Sequence, residues 1–572
     1  MDISIRIGGA AGQGIQSISS IIAKTFVRHD FYVFVNQDFA SRIRGGHNFD
    51  QVRISSNPVK AVADKVQILI ALDKETTRRD MECLNGDGFL LFDGDAIGFT
   101  SDDPNHLSIP FAQIASDAGK SKIMINSVAT GAAIALMGFE LQPVLDGLQE
   151  QFKQKGSETV ANNQKSATAG YDFVRQNLKT TPTFKIPSTE LVRQKMLLTG
   201  SQAMALGAMA SGLKFFSGYP MSPATTIMEF VSTQAASYNI VLEQAEDEIA
   251  AVNMVIGASF AGVRAMTATS GGGFCLMVEA LSLAGMTETP AVIVVAQRPG
   301  PSTGLPTRTE QADLNLVMHA GHGDFPRAIL APGYPEQAIH LMSKAFNLAD
   351  KYQTPIIVLG DQHFGDAYFT VDELDFRNIT IDRGHILTDQ DLPSPLDYRR
   401  YAPSKSGISP RILPGQTKAV LYADSDEHTE EGHITESGAV RNQMMHKRMQ
   451  KLEGLRREIG PPEIYPAGEA EIVLLGWGST HGAIKEAVDR LNQEGAAARM
   501  IHYSELFPFN ARHVPIEELK QSKIIAVENN YTGQFADLFS QETGLPVDQR
   551  ILKYDGRPFT PREITDQIEA MS

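Results

Sequence analysis

The sequence predicts a multidomain α/β protein built on doubly wound, largely parallel sheets, and three observations carry that expectation. Short apolar runs, such as Ala-Val-Ile-Val-Val-Ala at 291–296, alternate with helix-length segments down the whole chain, as strands joined by crossover helices do. Several of these runs end on glycine-rich or proline-rich turns, the places where such sheets carry ligands. The length of 572 residues accommodates about three or four domains.

The first unit opens with an alternating strand at 3–7, a glycine-rich turn containing Gly8, Gly9, Gly12 and Gly14, and a helix at 15–28. Further strands are predicted at 32–35, 51–54, 67–71, 89–92 and 122–125, and helices at 127–137 and 142–154. Polar composition from 156 to 188 reads as a helix plus a linker. A second unit follows, with strands at 215–217, 241–243, 264–268, 291–296, 326–330 and 355–359. Residues 377–467 are less regular, rich in proline, and contain a basic helix at 443–457 and an acidic, histidine-bearing patch at 424–433. The last unit has strands at 472–476, 498–502 and 523–527 and a helix at 481–493.

Composition excludes several classes of function. At 42% hydrophobic and 21% charged residues the chain is no disordered polymer. Its formal charge of −16 lacks the basic footprint that nucleic acid requires. No apolar run reaches the length of a membrane span, and the N-terminus is patterned as a strand rather than a signal peptide. Cys83 and Cys275 are the only cysteines, too few for a Cys₄ iron–sulfur cluster and consistent with a reducing, cytoplasmic setting.

Six segments are candidates for chemistry. The turn around Gly8, Gly9, Gly12 and Gly14 stands between a strand and a helix, where backbone N–H groups cradle a phosphate or simply make a tight turn. Arg42 and Arg44 stand beside Gly45 and Gly46, and guanidinium suits phosphate or carboxylate. Tyr219-Pro220-Met221-Ser222-Pro223 leaves a strand, and its two prolines hold the Ser222 hydroxyl still. Glu246-Asp247-Glu248 opens a small-residue helix; acids there are ordinarily caps, but the apolar packing after Glu248 predicts a buried carboxyl able to share a proton with a ligand nitrogen. Ser270 and Gly271 begin another glycine-rich strand-to-helix turn. The loop after 296 carries Arg298, Thr303, Thr307 and Arg308, an anion or dicarboxylate clamp if it is more than a solvated loop. The patch at Glu427, His428 and His433 reads as a mobile acidic loop, because no complete metal-ligand set accompanies it.

In this order these segments resemble the 2-oxoacid:ferredoxin oxidoreductases, over nearly the whole chain, and most of all the alpha subunit of a 2-oxoglutarate-type member with the gamma domain fused to its N-terminus. The run Glu528-Asn529-Asn530-Tyr531-Thr532-Gly533-Gln534 adds to the likeness. The resemblance implies a gamma-type α/β domain at 1–180 on the coenzyme A side and a linker at 181–197. A pyrimidine-type thiamine diphosphate domain at 198–385, an irregular connection at 386–467 and a transketolase C-terminal-like domain at 468–572 would follow.

It further implies oxidative decarboxylation of a 2-oxoacid to an acyl-coenzyme A, with electrons passed to ferredoxin. A beta subunit would hold the Mg²⁺–diphosphate end of the cofactor and a [4Fe–4S] cluster, in an α₂β₂ assembly. The triplet Gly86-Asp87-Gly88 has no asparagine at the expected distance downstream, so it does not serve as that diphosphate site. The family glutamate that bonds the aminopyrimidine ring falls on Glu248. Tyr219, Pro220, Ser270 and Gly271 fall on the same cofactor's side. The family loop Tyr-Pro-Ile-Thr-Pro appears with Met221 for isoleucine and Ser222 for threonine. The substrate carboxylate would meet Arg298 and Ser222, with Thr303, Thr307 and Arg308 in reach of a second carboxylate, which ranks 2-oxoglutarate above pyruvate, branched-chain 2-oxoacids and arylpyruvates. Gly8, Gly9, Gly12, Gly14, Arg44, Gly45 and Gly46 would face coenzyme A; no metal is expected on this chain. Asn529, Asn530 and Gln534 serve either packing between subunits or chemistry. A stand-alone nucleotide- or coenzyme-A-binding protein is the alternative of another class.

Overall fold

The computed structural model describes residues 1–41, 45–187, 195–392, 394 and 397–571. The chain divides into two compact units. The first comprises residues 1–198, 367–374 and 560–563, and the second comprises 199–366, 375–559 and 564–572.

Among the described residues the first unit holds an eight-stranded sheet in the order His106–Ser108, Leu84–Phe92, Val66–Ala71, Asp2–Ala11, Gly45–Ser55, Tyr32–Asp38, Tyr368–Val371 and Met196–Thr199. The sheet is mixed rather than parallel. Asp2–Ala11 runs parallel to Val66–Ala71 but antiparallel to Gly45–Ser55, which is itself antiparallel to Tyr32–Asp38. The reason is local: only a few residues separate Asp38 from Gly45, too short for a crossover helix, so the chain must double back. Tyr368–Val371 pairs with Tyr32–Asp38 and is fixed by Thr370, whose hydroxyl donates to the Val33 carbonyl at 3.0 Å.

The expected strand at 122–125 does not form; Lys122–Met124 is a 3₁₀ turn capped by Ser121, and the helix Ile125–Leu136 follows directly. That helix crosses Ser157–Asn177 so closely that a Cβ at Gly131 would lie 1.9 Å from the Ala167 carbonyl. Gly86, Asp87 and Gly88 lie inside the strand Leu84–Phe92, and Asp87 accepts from Thr183 at 2.6 Å.

In the second unit the seven-stranded sheet runs Glu505–Phe507, Ala328–Leu330, Pro355–Asp361, Ala291–Gln297, Ala265–Thr269, Phe215–Gly218 and Val241–Gln244 among the described residues. All neighbours are parallel except Glu505–Phe507 against Ala328–Leu330. From Phe215–Gly218 the chain adds Val241–Gln244 on one side and Ala265–Thr269 on the other, so the winding reverses there. A five-stranded sheet, Glu463–Tyr465, Ala498–Tyr503, Ile472–Trp477, Lys523–Glu528 and Gln549–Leu552, completes the unit. One apolar core joins the two sheets, with Phe274 and Leu314 packed in the same cluster as Trp477, Tyr503 and Phe535.

The less regular segment before the last sheet is fastened by buried charge. Asp350 receives Arg264 at 2.9 Å, Arg383 at 2.8 Å and Arg411 at 2.5 Å. Glu288 receives Lys447 at 2.6 Å and also Lys451, both from the helix Gly438–Glu458. Burial pushes the Glu288 carboxyl up, but Lys447, Lys451 and Arg400 outweigh it and hold the group below the ordinary carboxylate range. The acidic patch is tied to the fold by side-chain contacts: Glu427 is paired with Arg441 and Arg448 at 2.7 Å each, and buried His428 packs on Tyr401 with ring centroids 4.1 Å apart. Among the described residues no helix is long and apolar enough to cross a membrane.

Removing one member of a buried ion cluster strands its partners. Glu288→Gln leaves Lys447 and Lys451 without a counter-charge and is expected to destabilise the second unit by about 3–5 kcal/mol, read by denaturant unfolding. An unchanged midpoint would show that the cluster does not fasten the segment.

Candidate functional site

The reversal of winding places a crevice at the carboxyl ends of Phe215–Gly218 and Ala265–Thr269, where open α/β sheets bind ligands. Pairing between these strands runs through Ala265↔Phe215 and Met266↔Phe216 and stops. Beyond that point the loop at 219–224 leaves one strand and Ser270 leaves the other.

Glu248 opens the helix Glu248–Phe260 and points inward. Asp247 caps that helix, accepting from the Ala250 N–H at 2.7 Å, which leaves Glu248 free of capping duty. Glu248 is 3% exposed, and its Oε1 is buried with no hydrogen-bond partner. Room for that oxygen comes from the first turn of Gly271–Met286: a Cβ at Gly273 would lie 2.5 Å from Glu248 Oε1 and 2.1 Å from Thr269 Oγ1. Ser270 Oγ and Thr267 Oγ1 are buried without partners in the same strand and turn. Unpaired buried oxygens are costly, so several in one crevice mark a place prepared for a polar ligand.

Arg298 follows the strand Ala291–Gln297, and its Nη1 donates to the Ser222 carbonyl at 2.7 Å. The predicted pair Ser222 and Arg298 is thus brought together, with the Ser222 side chain exposed. Thr303 is exposed, and Thr307 and Arg308 are half-buried. Arg308 packs beside Gly556 of the last domain, whose Cβ would lie 3.0 Å from Arg308 Cβ. Tyr219 is 40% exposed and Pro220 is exposed with it at the mouth of the loop.

Two acids missed in the sequence lie in the same loop. A Cβ at Gly271 would lie 2.5 Å from Asp313 Oδ2, an oxygen that is buried and unpartnered, and the Asp313 N–H donates to Gln297 Oε1 at 3.0 Å. Burial pushes Asp313 up to about 6, opposed by Arg298. Burial, followed by the charge of Asp313, pushes Glu310 up to about 7. Burial lowers Arg298, with Asp313 pulling it back up. The available signal was an acid set between Ala312 and Leu314 in a loop with no periodicity.

Asn529, Asn530 and Gln534 fasten this loop within the chain. Gln311 N–H donates to Asn529 O at 2.6 Å, Asn530 Nδ2 donates to Gln311 O at 3.1 Å, and Gln534 Nε2 donates to Ala312 O at 2.8 Å. The Gln311 side chain accepts from Asn529 N–H at 3.1 Å and donates to Trp477 O at 2.8 Å.

In the first unit, Gly8 and Gly9 belong to the strand, and the turn itself is Gly12 to Gly14, with φ +89° and +81° at the two glycines. A Cβ at Gly8 would lie 2.5 Å from Thr76, and one at Gly14 would lie 1.7 Å from Asn126. Ala11 pairs with Gly45, which brings Gly45 and Gly46 beside the turn; Arg44 lies outside the described residues. Two cavities flank Gly12. One of about 370 Å³ is lined by Ser17, Asp38, Asn48 and Asp50, and burial pushes Asp50 up to about 6. The other, about 270 Å³, is lined by Gln13, Asp93, Phe111, Lys122 and Asn126.

The family model described as "Pyruvate flavodoxin/ferredoxin oxidoreductase, thiamine diP-bdg" matches residues 206–447, and "Pyruvate ferredoxin/flavodoxin oxidoreductase" matches residues 4–173. The 2-oxoacid:ferredoxin oxidoreductase subunit alpha of Saccharolobus solfataricus is 32% identical, over 100% of this chain and 98% of that protein. The 2-oxoglutarate synthase subunit KorA of Methanothermobacter thermautotrophicus is 30% identical, over 66% of this chain and 99% of that protein. A solved structure of 2-oxoglutarate:ferredoxin oxidoreductase from Magnetococcus marinus, with 2-oxoglutarate, coenzyme A and succinyl-CoA bound, matches with a TM-score of 0.93 and 32% identity, over 100% of this chain and 99% of that one.

The loop clamp has a direct test. Gln311→Leu leaves the Asn529 N–H buried and unpaired, at about 1–3 kcal/mol, and removes one of the two hydrogen bonds that the Trp477 carbonyl accepts, the other coming from Thr480. The variant is expected to melt earlier and to be cut by protease within 300–314 before the rest of the chain. Native melting and cleavage patterns would show that the last domain does not hold the loop.

Proposed function

The chain belongs to the 2-oxoacid:ferredoxin oxidoreductases, as an alpha subunit of that multi-subunit enzyme, and from that premise we propose that it acts on 2-oxoglutarate. The reaction would convert 2-oxoglutarate and coenzyme A to succinyl-coenzyme A and carbon dioxide, with two electrons passed one at a time to ferredoxin. The reverse carboxylation is open to the same site.

The observation that carries the reading is the buried, unpartnered Oε1 of Glu248 in the switch-point crevice. Thiamine diphosphate fits there: Glu248 and Ser270 offer unpaired polar atoms for an aminopyrimidine ring, and glycine at 271 and 273 leaves the backbone open beside them. Thiamine diphosphate, when bound, supplies the nucleophilic carbon that cleaves a 2-oxoacid beside its carbonyl. Glu248 holds a proton against the ring nitrogen, which is the share of the chemistry that falls to this chain. Tyr219, Pro220, Ser270 and Gly271 form the wall around it, and Arg298 with Ser222 receives the 2-oxoacid carboxylate. Thr303, Thr307 and Arg308 extend the polar loop toward a second carboxylate, and the 2-oxoglutarate in the names of the Methanothermobacter and Magnetococcus enzymes favours the same choice.

The crevice is half a site. Ile249, Met254 and Leu276 are 48%, 40% and 50% exposed on the two helices that carry Glu248 and Gly273, an apolar surface suited to a beta subunit. That partner would hold Mg²⁺, the diphosphate and the [4Fe–4S] cluster, since two cysteines cannot ligate one; an α₂β₂ assembly in the cytoplasm completes the proposal. Coenzyme A is proposed to meet the first unit on the Lys122 and Asn126 side of Gly12, where Lys122 offsets the single acid Asp93, whereas two acids, Asp38 and Asp50, line the other side. Gly14 and Gly46 shape that turn, while Gly8 and Gly9 act as strand residues.

Co-expression with the beta subunit, followed by anaerobic dye reduction with a panel of 2-oxoacids and coenzyme A, tests the reading. 2-Oxoglutarate is expected to turn over fastest, and Glu248→Ala to lower kcat by about 10²–10⁴. Preference for pyruvate, a branched-chain 2-oxoacid or an arylpyruvate would overturn the substrate. A folded complex inactive on every 2-oxoacid would overturn the function.

A further inference from the structure

The loop that presents Ser222 to Arg298 is fastened from behind by the helix Gly200–Ala210. Thr226 stands in the first turn of the helix Thr225–Tyr238, and its Oγ1 lies 3.0 Å from the Pro223 carbonyl oxygen and 2.8 Å from Ser201 Oγ. A threonine hydroxyl carries one proton, and a carbonyl only accepts. Thr226 therefore donates to Pro223 and receives the proton of Ser201, which makes a directed chain from Ser201 through Thr226 to the loop. A threonine in a first turn often bonds back to its own turn; the bond to a second helix sets this one apart. That second helix is a firm anchor. Thr199 and Gln202 close a capping box at its start, a Cβ at Gly200 would lie 2.2 Å from the Phe364 carbonyl oxygen, and Ser201 is 2% exposed.

We propose that Thr226 is a positioning residue for substrate binding: with Ser201 behind it, its hydroxyl fixes the Ser222–Pro223 backbone, and that backbone fixes the Arg298 guanidinium. The inference rests on Arg298 as the partner of the 2-oxoacid carboxylate. The link to the guanidinium is a hydrogen bond, since Arg298 Nη1 donates to the Ser222 carbonyl at 2.7 Å, and the next carbonyl along the chain, that of Pro223, is the one Thr226 holds. Proline has no N–H, so its carbonyl is the only backbone group by which Pro223 can be held. Arginine recognises a carboxylate through paired N–H groups in a fixed geometry, which a turning anchor would spoil. The Thr225 N–H also closes this turn on the Met221 carbonyl at 3.1 Å, so losing one hydroxyl loosens the loop without unfolding it. Substrate binding then weakens while the chemistry at Glu248 stays in place.

The test is steady-state kinetics of the assembled enzyme with its preferred 2-oxoacid. Thr226→Val keeps the branched shape and removes the hydroxyl. Its KM is expected to rise about fivefold, the worth of one hydrogen bond, with kcat and the affinity for thiamine diphosphate changed by less than about twofold. Thr226→Ser is expected to keep the native KM. Arg298→Ala, measured alongside, separates failure of the role from failure of its premise. Unchanged kcat/KM in Arg298→Ala removes Arg298 from the substrate site, and the proposal with it. A steep loss keeps the premise, and adding Thr226→Val to that variant is then expected to cost nothing further, because the two residues act as one. A native KM in Thr226→Val, a fall in kcat as large as the rise in KM, a raised KM in Thr226→Ser, or a full further fivefold loss of kcat/KM in the double variant would each overturn the role of Thr226.

Discussion

A buried carboxyl oxygen with no hydrogen-bond partner in the protein is the constraint around which the second unit is arranged. Leaving such an atom unsatisfied costs about 1–3 kcal/mol, and the fold sustains it at Glu248 Oε1 by removing the competitors that would ordinarily quench it. Asp247 takes the capping bond of the helix, so Glu248 is not drawn to the backbone. Gly273 has no side chain to fill the space, and Thr269 closes it from the strand side. The sheet supplies the rest, because its winding reverses beside this point and the two strands part after Met266 and Phe216.

The last domain fastens the loop beside the same crevice. Through Gln311, Asn529, Asn530 and Gln534 it grips the loop that begins at Arg298 and ends at Leu314, and the shared core of Phe274, Trp477 and Phe535 keeps the grip rigid. The Arg298 side chain is held by the Ser222 carbonyl, and the far end of its loop by the fastened segment at 309–314. Charge plays the same structural part further out, where Asp350 gathers Arg383 and Arg411 from the less regular segment and Glu288 gathers Lys447 from the helix Gly438–Glu458.

Much of this was legible because the relevant signals are local. The apolar runs of Ala265–Thr269 and Ala291–Gln297 end on glycine and arginine turns, and those turns are where the crevice lies. Three acids in a row at 246–248 gave one cap and one buried group, and the small apolar residues after Glu248 indicated which was buried. What the sequence hid depends on long-range pairing or on packing. Tyr368–Val371 joins the first sheet from far along the chain, and no pattern in four residues announces it. Ile123 to Ile125 is a short apolar run that reads as a strand, yet Ser121 caps a helical turn there. Asp313 has no periodicity around it, and only Gly271 shows that it is buried against a helix start. Asn529, Asn530 and Gln534 are polar residues at a strand end, and their neighbours in space lie 218 to 222 positions away.

The space at residue 273 is where the role of Glu248 can be tested with the least disturbance elsewhere. Gly273→Ala puts a methyl group 2.5 Å from Glu248 Oε1 and 2.1 Å from Thr269 Oγ1 without removing either residue, and alanine suits a helix better than glycine. The expected result is an assembled, well-folded enzyme whose thiamine diphosphate-dependent turnover falls by about 10² or more, the scale of a displaced acid–base group. Native turnover and native affinity for thiamine diphosphate in that variant would contradict the role given to the buried oxygen.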